Sequence, residues 1–187
     1  MHPSIIDLTA DCATEHERDM TMNDINATPA TRSTNHTGEL IYRFEAQLGE
    51  PFPVGVFDDG IRFHNNFDGR ISDGPFAGAR IYGLDEFKLR PDGVGEVVAP
   101  EAIDAGNVRA SVHVRGYVVP PDGLEMPPLE AIATPGFEFP DLDFRFTGSA
   151  TLATTSPEFT WLNSTIAILE GTVNMGTGTI KVEARAA

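Results

Sequence analysis

The stretch from Asn107 to Val119 alternates almost without fault. Val108, Ala110, Val112, Val114 and Val118 fall on one face, and Arg109, Ser111, His113, Arg115 and Tyr117 on the other. A two-residue period sustained over that length is the mark of a strand with one buried face. A helix would scatter the same valines around its whole circumference. The rhythm recurs where Leu40, Tyr42, Phe44 and Ala46 alternate with Ile41, Arg43, Glu45 and Gln47, and where Ile61, Phe63, Asn65 and Phe67 alternate with Arg62, His64 and Asn66. It returns in Leu142, Phe144, Phe146, Ala150 and Leu152 against Asp143, Arg145, Thr147, Ser149 and Thr151. With shorter runs over 76–82 and 86–90, a strand over 161–171 and a last one over 179–185, the pattern predicts about eight strands.

Turn chemistry agrees. Asp58-Asp59-Gly60, Pro91-Asp92-Gly93 and Pro121-Asp122-Gly123 each pair an Asp or Pro start with a glycine able to take positive φ. Residues 120–141 carry prolines at 120, 121, 127, 128, 135 and 140. That segment is too long for a hairpin turn and is expected to be a lid, a binding loop or an oligomer contact. Only Leu124 to Ala133 within it suggests a helix. With helix scarce elsewhere, antiparallel strands must remove their edges by closure or by pairing two sheets. The expectation is an all-β chain: a single antiparallel β-barrel over 38–187 behind a disordered polar tail over 1–37, whose few large apolar side chains cannot offset its ordering entropy. A short docking helix over Ser4 to Cys12 is the other reading of that tail.

Composition narrows the function classes. The 187 residues include 28 acidic and 13 basic side chains, a formal charge of −15, which repels nucleic acid and anionic membrane surfaces. The first 30 residues lack a basic region followed by an apolar stretch, so a cytoplasmic location is expected. The single cysteine, Cys12, allows no internal disulfide and no thiolate-rich metal site. No His-Glu-x-x-His, no Gly-Lys-Ser/Thr phosphate loop and no Gly-x-Ser-x-Gly elbow occurs. The expectation is therefore no metal and no cofactor.

Several scattered motifs carry a resemblance. Gly74-Pro75 with Gly78, Asp85 with Phe87, Arg90-Pro91-Asp92-Gly93-Val94, and Trp161-Leu162-Asn163 after Ser156-Pro157-Glu158 resemble the small barrels known as domain of unknown function 3237. The resemblance covers about residues 39 to 187 and implies a calycin or allene-oxide-cyclase type of antiparallel barrel, with biochemistry largely unassigned. Two stretches depart from the family pattern. Val97-Val98-Ala99-Pro100 stands where the family tends to carry an arginine, and Gly83-Leu84-Asp85-Glu86-Phe87 loses a glycine and a tryptophan.

Candidate site residues follow from which strand face is inside. With the apolar faces inward, Tyr42, Phe44, Phe63, Phe67, Val112, Val114, Phe144, Phe146, Ile166 and Ile168 line the lumen, with Tyr42 and Asn65 as its polar members. A barrel of eight strands is just filled by such side chains or holds one small ligand. On this orientation Arg109, His113, Arg115 and Tyr117 form a solvated outer stripe. If the faces are reversed, His113 is a general acid or base, Arg115 holds a carboxylate or enolate, and Tyr117 donates a hydrogen bond. The catalytic candidates are thus His113, Tyr117, Asp85 and Asn163, the last two on family-like motifs expected near strand ends. The ligand-binding candidates are Tyr42, Phe44, Phe63, His64, Asn65, Arg115, Phe144 and Trp161. The function expected is small-molecule binding with a cofactor-independent isomerase, cyclase, lyase or hydratase step. A carrier or an interaction protein with a filled core are the alternatives, and a homodimer is a possible assembly.

Overall fold

The computed structural model describes residues 36–187. The tail reading, the alternative helix over Ser4 to Cys12, and Cys12 itself lie outside the described residues. Nine strands form one antiparallel sheet in the order β1-β9-β8-β7-β6-β5-β4-β3-β2. They are β1 (Leu40–Leu48), β2 (Phe52–Phe57), β3 (Gly60–Asp73), β4 (Arg80–Leu89), β5 (Gly95–Asp104), β6 (Arg109–Val119), β7 (Asp143–Thr154), β8 (Ile166–Asn174) and β9 (Thr179–Ala186). A second pairing, β1 with the C-terminal part of β3, closes eight of them into a barrel. Among the described residues no helix is long and apolar enough to cross a membrane.

Closure demands close backbone approach where β1 meets β3. Gly69 lies opposite Ala46 there, and a Cβ on Gly69 would sit 2.4 Å from the Ala46 Cβ. The long strand β3 changes partner along its length: Phe67 to Asp73 pair with β1, whereas Gly60 to His64 pair with β2. Residues Gly49, Glu50 and Pro51 make the step between the two partners, held by the Gly49 amide donating to the Asn66 carbonyl.

The two ends of the barrel differ. One is plugged: the β7–β8 connection is a 3-10 helix, Pro157–Ser164, whose Leu162 is fully buried, and Phe159 packs on Phe76 with ring centroids 4.9 Å apart. The other end gathers the end of β1, the β8–β9 turn and the 120–141 segment. Inside that segment a single helical turn, α1 (Leu129–Ile132), buries Ile132.

Several element boundaries differ from the sequence expectation. The runs over 76–82 and 86–90 are one strand, β4, and the strand expected over 161–171 begins only at Ile166, after the 3-10 helix. That helix resets the alternation. Ala167 and Leu169 face inward, while Ile166 and Ile168 are 55% and 46% exposed, so the expected lumen places for these two isoleucines are corrected. Both faces of this strand are apolar, which leaves its phase unmarked in the sequence. Strands β2 and β5 were not expected; in β5, Val97 to Ile103 carries apolar residues on both faces and is interrupted by Pro100 and Glu101.

Candidate active site in the barrel lumen

The lumen is not filled. A cavity of about 640 Å³ opens at the unplugged end, within the range of roughly 300–1,000 Å³ usual for small-molecule sites. Its wall is aromatic and aliphatic, with Phe44, Phe63, Phe67, Phe87 and Phe146 from four strands. Ile132, Phe137 and Phe139 of the 120–141 segment also line it, and the last two rings meet edge to face at 5.1 Å. That segment therefore helps to line the cavity.

Besides Gln47, Glu50, Glu138 and Thr177, three polar side chains carried by adjacent strands interrupt this wall. Asn65 on β3 and Asp85 on β4 are direct cross-strand partners. Glu101 on β5 pairs with Gly83, two residues along β4 from Asp85, so the two carboxyls are diagonal neighbours on one inward face. Local sequence explains why the face turns this way. On β4, Ile81, Asp85, Phe87 and Leu89 are buried in phase, and on β5 Glu101 continues the inward series Val97, Ala99, Ile103. Gly83 leaves space between Phe67 and the β5 backbone: a Cβ there would lie 3.0 Å from the Phe67 ring and 2.5 Å from the Pro100 carbonyl oxygen. The β4–β5 ladder lapses opposite Ala99 and Pro100, where proline brings no N–H.

These groups lack partners. Asp85 is 9% exposed, and Asp85 Oδ1, Glu101 Oε2, Asn65 Oδ1 and the Tyr42 hydroxyl are all shielded without a hydrogen bond. Glu101 is half-buried as a residue, but its Oε2 is not reached by solvent. Desolvation penalises the charged form of an acid. Burial, helped by the nearby Glu86 charge, pushes the Asp85 carboxyl up to about 7. Burial and the Asp85 charge push Glu101 up to about 8. Tyr42 is fully buried behind the cavity wall, and burial together with Glu101 holds its phenol well above the usual range. Near neutral pH the site thus offers a protonated carboxyl beside one that is readily ionised, the pairing that acid–base catalysis needs. The two titrate as a coupled pair.

The sequence candidates divide by location. Phe44, Phe63, Asn65 and Asp85 line the cavity. Asp85 sits mid-strand rather than at a strand end. Tyr42 and Phe144 are fully buried and stand outside the lining. His113, Arg115 and Tyr117 point outward, Tyr117 being 52% exposed, so the solvated-stripe orientation is the one adopted. His64 alternates outward on β3. At the plugged end, Asn163 accepts from the Thr154 amide at 2.8 Å and donates to the Thr154 carbonyl at 3.0 Å, pinning the 3-10 helix to β7. Trp161 stacks on His36 at 4.1 Å. Glu101 was missed by sequence reasoning. Its one signal was a charged residue in phase with Val97, Ala99 and Ile103.

Among the described residues no group of three or more His, Cys, Asp or Glu is placed to hold a metal ion. No protein-family model and no curated protein matches this chain. Solved structures do. A protein of unknown function from Clostridium acetobutylicum superposes with a TM-score of 0.60 at 18% identity, covering 83% of this chain and 99% of that one. A β-barrel-like protein from Acinetobacter baumannii gives 0.59 at 18% identity over 84% and 99%. A conserved protein of unknown function from Rhodopseudomonas palustris gives 0.57 at 17% identity over 81% and 99%. What this chain shares with these uncharacterised proteins is the antiparallel β-barrel fold.

Proposed function

We propose that the lumen binds a small, largely apolar and partly oxygenated molecule, and that Asp85 and Glu101 move protons on it in a cofactor-independent isomerase, cyclase, lyase or hydratase step. The observation that carries this reading is the placement of two unpartnered, buried carboxyls in an otherwise apolar cavity with an open mouth. An apolar core gains nothing from such groups, since each costs desolvation without a compensating bond. Perturbed acids in a cleft are where acid–base chemistry is usually found. The motif resemblance to domain of unknown function 3237 is consistent with this reading and adds no substrate to it.

The test combines binding with turnover. Nile red, an uncharged lipophilic dye, should bind saturably with one site per chain. Catalytic amounts of protein should convert at least one member of a panel of neutral enones, lactones and epoxides. Asp85→Asn should lower that turnover by roughly 10²-fold or more while leaving dye binding intact. Absence of dye binding removes the lumen site. Dye binding with turnover unchanged in D85N and E101Q removes the proton-transfer role, and binding with no conversion across the panel leaves a carrier.

A further inference from the structure

We infer that the lumen site is built for an uncharged carbonyl compound bearing a hydrogen on the carbon next to the carbonyl, its oxygen accepting a hydrogen bond from the Glu101 carboxyl while Asp85 exchanges that proton. The inference rests on the lumen reading above and names its substrate class and the part each residue plays. Three features of the cavity carry it.

First, among the described residues that line the cavity there is no Lys, Arg or His, and the charged ones are all acidic: Glu50, Asp85, Glu101 and Glu138. An anionic ligand would enter past two acidic residues and meet no countercharge, so carboxylates and phosphates are rejected. Second, the polar groups sit together. Asn65 faces Asp85 directly, and Glu101 is its diagonal neighbour. A ligand oxygen resting on Glu101 would leave the adjacent carbon near Asp85. Third, Asp85 Oδ1, Glu101 Oε2 and Asn65 Oδ1 are shielded and unpartnered, so the two carboxyls have bonding capacity to offer without breaking an existing contact, Glu101 as a donor when protonated and Asp85 as the base.

The step balances without any co-reactant. The Asp85 carboxylate takes the proton from the carbon next to the carbonyl. The C–H electron pair becomes a new C=C bond, and the carbonyl π pair moves to oxygen. The Glu101 O–H holds that oxygen, as a preorganised donor does at a developing oxyanion. Asp85 then returns the proton to the same carbon or to one conjugated with it, and is regenerated. A neutral Glu101 is the form needed, and its burial favours that form. The titratable groups that act on Glu101 or feel its charge are Asp85 from β4 and Tyr42 from β1, with Glu86 acting on Asp85 from the outer face.

Three probes of one shape test this: 2-acetylnaphthalene, 2-naphthoate and 2-naphthylmethylamine. The ketone is expected to bind at least ~10-fold more tightly than the naphthoate, about the discrimination of one hydrogen bond to a charged or strongly polar group. Its affinity should fall as pH rises through about 8, where Glu101 loses its proton. Glu101→Leu should weaken ketone binding ~10-fold, while Glu101→Gln, which keeps an N–H donor, should restore most of the affinity and flatten the pH profile. In D2O the wild type should exchange the methyl hydrogens of the ketone, and Asp85→Asn should bind it yet lose that exchange. Preference for the amine, with affinity rising through pH 8, overturns the inference, as does ketone binding indifferent to pH and to E101L. In either case Nile red binding would still stand. Failure of Nile red and all three probes together removes the lumen site itself.

Discussion

At the scale of single residues, the buried carboxyls leave a signature in stability. Both have folded-state pKa values raised above their unfolded ones, so the native state holds more protons than the unfolded chain at intermediate pH. Unfolding free energy therefore decreases as pH climbs from near 4 through about 7 and 8, by at most about 1.4 kcal/mol per pH unit for each proton. Urea denaturation between pH 5 and 9 should show that decline in the wild type and a clearly shallower one in the Asp85→Asn, Glu101→Gln double variant. Equal slopes would mean that the carboxyls titrate normally. Asn163 behaves differently. Its amide fills two backbone partners at the plugged end, so Asn163→Ala is expected to cost about 1–3 kcal/mol of stability and leave Nile red affinity unchanged. Asp85 was legible in the sequence as a motif residue, but its inward direction was not, because a single acid in Gly83-Leu84-Asp85-Glu86-Phe87 has an acid beside it on the opposite face. Which of Asp85 and Glu86 enters the lumen is decided by the pairing of β4 with β3.

At the scale of elements, strands with one polar face were readable and strands apolar on both faces were not. The alternation in β6 fixes its orientation, with valines inward and His113, Arg115 and Tyr117 outward. In β5 and β8 the period is masked, and those are the strands that carry Glu101 and the misassigned isoleucines. The 120–141 segment was recognisable from its prolines as more than a turn, yet its aromatic contribution to the mouth depends on contacts distant in sequence. Phe137 and Phe139 are half-buried there and touch each other rather than the strand framework alone. Replacing both with serine should speed dye release several-fold in a stopped-flow displacement experiment, with little change in the unfolding midpoint. A large loss of stability instead would make these rings part of the core.

At the scale of the whole molecule, charge and closure set the behaviour. With a formal charge of −15, the folded chain works against its own repulsion, and the exposed ion pairs, such as Arg62 with Asp59, return little. Raising salt from about 20 to 300 mM should therefore raise Tm by a few degrees, since screening relieves the excess acidity more than it weakens those pairs. A fall in Tm would assign the surface pairs a larger share of the stability. Closure has its own consequence, through the change of partner along β3. A fully laddered cylinder admits a guest only over its rim. Here the wall changes leaf partway up, from β1 to β2, and the three residues Gly49, Glu50 and Pro51 at that step border the cavity. Only one backbone bond, Gly49 to Asn66, ties the step to β3. The cavity border at this step therefore rests on the connection into β2 rather than on a continuous ladder.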